Sequence, residues 1–112
     1  MGLDMYLYEV PLPAVVTDFY FNDEYEYNQI HYWRKYHSLH HWFRGIFYTR
    51  GGGRDKDFNG DVLRLYSDDI DSLEKNFNPL DINEAHHECK EYIQKMRDSI
   101  AEGYAVYYNS SW

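Results

Sequence analysis

Tyr32-Trp33-Arg34-Lys35 and Leu39-His40-His41-Trp42-Phe43 crowd cations, imidazoles and large rings into one short stretch. An imidazole beside aromatic faces and an arginine can act as a general base or help to stack and clamp a nucleotide. Read as helix, this stretch brings Trp33, Tyr36 and His40 together at i, i+3 and i+7. Arg34, Arg50 and Arg54 add guanidinium forks of the kind that recognise phosphate. Trp33, Arg34, His40, Arg50 and Arg54 are therefore a candidate ligand face. The competing reading is a half-buried histidine whose ring nitrogens are satisfied within the fold.

Three other constellations have weaker chemistry. His37 and His41 have the i, i+4 spacing that lets two imidazoles share a metal, and His86 with Cys89 supplies two further ligand types. The Glu of a His-Glu-x-x-His site is missing, because Ser38 follows His37. Cys89 falls at the centre of an apolar stripe, where a lone thiol behaves as a small buried hydrophobe. No metal and no cofactor is expected. Arg50-Gly51-Gly52-Gly53-Arg54 offers glycine N–H groups and two cations to an anion, but lacks the Gly-Lys-Ser/Thr ending of a phosphate loop. It reads better as a connecting loop. Asp68, Asp69 and Asp71 lie close together, yet acids at a helix start are ordinarily solvated caps. No catalytic group is assigned.

The charges are sorted along the chain. Asp4, Glu9, Asp18, Asp23, Glu24 and Glu26 precede residue 29 with no Lys or Arg among them. Arg34, Lys35, Arg44, Arg50 and Arg54 follow, with no acid from 29 to 54. Acids dominate again from 55 onward, and the net charge is −8 over 112 residues. A cationic block inside an acidic protein marks an intramolecular clasp or a contact surface. The acidity argues against direct binding of nucleic acid. Aromatic residues make up 20% of the chain and thirteen of them are tyrosines, a residue suited to half-buried sheet faces and binding surfaces. The single cysteine rules out an internal disulfide and fits a reducing compartment. With no cationic leader and no long apolar run, a cytoplasmic protein without a membrane span is expected.

These residues need a scaffold, and periodicity outlines it. The length suits one domain, 1–112. Leu3, Met5 and Leu7 alternate with polar or aromatic residues, as in a half-buried strand ending at Pro11 and Pro13. Residues 14–21 read as a second extended segment. From Tyr27 to Phe47 the period turns helical, with Tyr32, Tyr36, Leu39, Phe43 and Ile46 on one stripe and His37, His41 and Arg44 opposite. Residues 61–66 read as a strand, and Ser67 as the N-cap of a helix closed by Pro79. Asp81 and Glu84 are spaced as a capping box for a last helix. Its apolar side is Ile82, Ala85, Cys89, Tyr92, Ile93, Met96 and Ile100, and Gly103 ends it. A strand follows at 104–108. The order β-β-α-β-α-α-β predicts an α+β fold, a small antiparallel or mixed sheet with helices on one face.

The opening Met1-Gly2-Leu3-Asp4-Met5-Tyr6-Leu7-Tyr8, the Tyr32–Lys35 run, the His40–Phe43 element and the Ser110-Ser111-Trp112 ending resemble a group of small bacteriophage and prophage proteins. The likeness covers the first strand, the long helical stretch and the terminus, and leaves about 48–80 unmatched. It implies a phage setting and a host-directed interaction protein; it implies no reaction. In that setting the expected partner is a host protein, a nucleic-acid-binding defence component above all. Carboxylates would occupy a cationic groove built for phosphates. Asp18, Asp23, Glu24 and Glu26 on one side, and Asp68, Asp69, Asp71 and Glu74 on the other, are the candidate contact residues. The alternative is a small enzyme or nucleotide-binding protein using the Trp33, Arg34 and His40 face.

Overall fold

The computed structural model describes residues 3–35, 37–51, 62–76 and 84–111; the side chains of 76 and 84–90 stand outside that description. In chain order the elements are β1 (Asp4–Pro11), β2 (Val15–Thr17), β3 (Tyr20–Phe21), β4 (Asn28–Arg34), α1 (His37–Thr49), β5 (Val62–Leu65), α2 (Ser67–Asn76), α3 (Glu84–Ala101) and β6 (Tyr104–Ser111). One turn of 3-10 helix, Leu12–Ala14, joins β1 to β2.

Strand β1 organises the sheet because both its edges are paired. Met5 lies opposite Trp33 and Leu7 opposite His31 on β4, while Leu7 and Tyr8 lie opposite Tyr108 and Tyr107 on β6. β5 adds to the far side of β6, giving an antiparallel sheet in the order β4-β1-β6-β5. The alternation of β1 sends Leu3, Met5 and Leu7 to one face, as their spacing predicts. There they join Trp33, Leu63, Leu65, Val106 and Tyr108. All three helices cover that face: Leu39, Phe43 and Phe47 from α1, Ile70 and Leu73 from α2, and Tyr92, Ile93 and Met96 from α3. The opposite face is covered in part by the β2–β3 hairpin, whose Phe21 packs with Ala14 on Val10, Ala105 and Tyr107. The fold is small α+β, as expected.

The largest departure from the sequence reading is at Tyr27–Phe47. It is a strand and a helix, with the break at Lys35, whose φ of 59° lies in the left-handed region. An α-helix cannot run through that conformation, and a non-glycine residue enters it at a cost of about 1–2 kcal/mol. The Lys35 N–H donates to the Leu3 carbonyl at 2.7 Å, which ties this corner to the start of β1. The helical wheel holds only beyond the break. Leu39, Phe43 and Phe47 are buried and His37 and His41 are exposed, whereas Ile30, Tyr32 and Trp33 belong to a pleated strand. Residues 14–21, read as one extended segment, are a hairpin turning at Asp18-Phe19.

Ser67 is the first helical residue rather than the cap. The Tyr66 N–H donates to Asp69 Oδ2 at 2.8 Å, so the acid three residues in reaches back over the helix start. At the end of α3, Gly103 takes φ 93° and its N–H donates to the Ile100 carbonyl, the ending its type predicts. β6 runs on to Ser111 rather than stopping at Tyr108. Tyr36, Pro79 and the Asp81–Glu84 cap lie outside the described residues or side chains.

Candidate functional site

The face proposed around Trp33, Arg34 and His40 does not assemble. Trp33 and Arg34 are consecutive in β4 and point to opposite sides of the sheet. Trp33 is buried under α3, 4.8 Å ring to ring from Tyr92, while the Arg34 side chain is 66% exposed beside Asp4. The Trp33 indole N–H finds no partner among the described residues. His40 is buried, and its Nδ1 lies 2.7 Å from the Tyr108 hydroxyl. Burial, and then the neighbouring His41, Arg44 and His37, lower its pKa to about 4. Burial also raises the Tyr108 pKa, so the phenol stays protonated and shares a hydrogen bond with a neutral imidazole, the tautomer setting which of the two donates. This is the satisfied histidine, held away from solvent.

Arg50 is equally committed. Its guanidinium grips both oxygens of Asp69, and its second nitrogen donates to the Arg64 carbonyl at 2.7 Å. The cationic block thus serves in part as a clasp on the acidic second half of the chain. Arg54, His86 and Cys89 lie outside the described residues or side chains. Among the described residues no three ligand side chains converge as a metal site.

The candidate acids divide into two kinds. On α2, Asp69 is held by Arg50, and Asp71 and Glu74 both accept from Arg97 at 2.7 Å; Asp68 is exposed. Asp18 is half-buried and accepts from the Tyr66 hydroxyl at 2.6 Å. Asp23, Glu24 and Glu26 differ from these. They lie in the connection between β3 and β4, all exposed, and among the described residues no cation pairs with their carboxylates. Tyr25 and Tyr27 stand between and beside them, both exposed, and so does Tyr20 of β3.

Sequence reasoning missed the aromatic surface these tyrosines belong to. On the sheet face opposite the helices, Tyr32, Tyr6 and Tyr8 stand in a row at ring separations of 5.3 and 6.0 Å, the second pair stacked within 7°. The row continues edge to face through Tyr27 at 5.2 Å and Phe21 at 5.0 Å, and ends on buried Tyr107. At its hairpin end is an open cavity of about 350 Å³. Tyr8, Phe19, Tyr20, Phe21 and Tyr27 supply its walls, and Asp23 its one ionisable acid. Val62 of β5 and Asn109 of β6 also line it. Burial, then Tyr27 and Tyr6, raise the Tyr8 pKa, so the Tyr8 phenol stays neutral. The signal was present in the alternating Tyr6 and Tyr8, but partners from Tyr20 to Tyr32 become neighbours only through strand pairing.

Among the described residues no helix is long and apolar enough to cross a membrane. Compared with protein-family models, with curated proteins and with solved structures, the chain finds no match in any of them.

Proposed function

We propose that this chain is a binding protein that engages a cationic surface of a partner protein through the acidic, tyrosine-rich connection between β3 and β4. The supporting observation is the contrast among its acids. Asp69, Asp71 and Glu74 of α2 are drawn into ion pairs with Arg50 and Arg97, whereas Asp23, Glu24 and Glu26 project beside exposed Tyr20, Tyr25 and Tyr27. Carboxylates that no cation pairs with among the described residues can steer an oppositely charged partner, and tyrosines supply amphipathic contact area. In the phage setting that its sequence motifs suggest, the partner is a host nucleic-acid-binding defence component in the bacterial cytoplasm. The carboxylates would occupy a groove made for phosphates.

The test is a pull-down from host lysate followed by binding of the captured protein at low and high salt. Reversing Asp23, Glu24 and Glu26 together to Lys should slow association strongly. Reversing Asp71 and Glu74 should affect it less, because these two already bind Arg97. Association indifferent to salt and to the first reversal would remove this segment from the interface.

A further inference from the structure

Resting on that reading, we propose that the cavity between the β2–β3 hairpin and the sheet is a socket for an arginine side chain of the partner. The charge is complementary. The chain carries −8, and Asp23, the one acid on the cavity wall, has no cationic partner among the described residues. The walls are complementary too. Tyr8, Tyr20, Tyr27 and Phe21 line it with aromatic rings, whose faces attract a cation through their quadrupole.

These walls suit guanidinium better than ammonium. Guanidinium is planar, weakly hydrated and able to stack on a ring while forking to a carboxylate, whereas a lysine head is compact and strongly hydrated. A volume of about 350 Å³ leaves room for the planar head and part of its stem, more than an ammonium fills. The same protein already seats arginines in this manner. The guanidinium carbons of Arg64 and Arg50 lie 4.6 and 5.3 Å from the Tyr66 ring centre, and the Tyr66 hydroxyl donates to Asp18. A tyrosine ring tied to an aspartate is thus a working arginine seat elsewhere in the fold. Buried arginines are also among the side chains that dominate interface energetics.

The probes are three blocked dipeptides, carrying two arginines, two lysines or two citrullines, titrated into the intact protein while the tyrosine ring resonances are followed by NMR. The arginine peptide should shift the Tyr8, Tyr20 and Tyr27 rings saturably, the lysine peptide should bind about tenfold more weakly, and the neutral citrulline peptide should leave the rings unmoved. Asp23→Asn, at an exposed position, should weaken the arginine peptide by about tenfold, and Tyr27→Ala should do the same; thermal unfolding serves as the folding control. Equal binding of arginine and lysine peptides would overturn the socket and leave only diffuse charge attraction, as would the absence of any saturable shift. The captured partner separates the two claims. If the triple Asp23, Glu24, Glu26 reversal abolishes its binding but Tyr20→Ala with Tyr27→Ala does not, the socket is wrong and the acidic surface stands. If neither change matters, both fall.

Discussion

His40 shows how one residue trades chemistry for structure. A pKa of about 4 against an ordinary 6.5 means that the unfolded chain binds the proton more readily than the folded one. The stability associated with neutral His40 is therefore intact above pH 6.5 and drains away as pH falls from about 6.5 towards 4. At roughly 1.4 kcal/mol per pKa unit, the loss is on the order of 3 kcal/mol. His40→Gln keeps a hydrogen-bonding group for the Tyr108 hydroxyl and cannot titrate. Denaturant unfolding of this variant should show a flatter pH dependence in that window, and a dependence as steep as the parent's would dissociate the acid sensitivity from His40. Its neighbours set the comparison. Leu39→Ala should destabilise by about 2–5 kcal/mol, since Leu39 is wholly buried. His41→Ala should stay within about 0.5 kcal/mol, as expected of an exposed side chain.

Elements were legible where their own pattern sufficed. β1, β5, α2 and α3 follow from alternation or a helical stripe carried by residues that also pack that way. The β4–α1 junction was not legible, because Ile30, Tyr32 and Trp33 fit a helical wheel as well as a strand. The deciding fact is non-local, the open edge of β1 against which β4 pairs. The candidate site was partly legible for the same reason: its acids fall within four positions of one another in sequence, from Asp23 to Glu26, but its rings meet only across strands. The clasp between α2 and the end of α1 yields a prediction at this scale. The Arg50 and Asp69 side chains are 24% and 13% exposed, so Arg50→Ala leaves a mostly buried carboxylate and should cost about 1.5–3 kcal/mol. Arg97→Ala releases more exposed Asp71 and Glu74 and should cost less than about 1 kcal/mol. Thermal unfolding of the two variants side by side checks the order.

For the whole molecule, the proposed binding mode makes the net charge and its placement govern association. Exposed charges are screened over about 8–10 Å at physiological ionic strength, so binding through Asp23, Glu24 and Glu26 should weaken as salt rises. The loss should fall mainly on the association rate, with dissociation set by the tyrosine contacts. Stopped-flow association at several salt concentrations, with circular dichroism as the folding control, measures both.

The sheet order has a consequence for how the chain reaches this state. β6 follows every other element in sequence, yet it lies between β1 and β5. β5 has no strand neighbour until β6 arrives, and the pairing of Leu7 with Tyr108 closes nearly the whole chain into one loop. On the ribosome the first strand must wait, one edge open, until the residues after Gly103 have emerged. The rate-limiting event in folding should accordingly be insertion of β6, a long-range step whose loop-closure entropy precedes its reward. The nascent chain depends on its final strand for the sheet to become continuous at all.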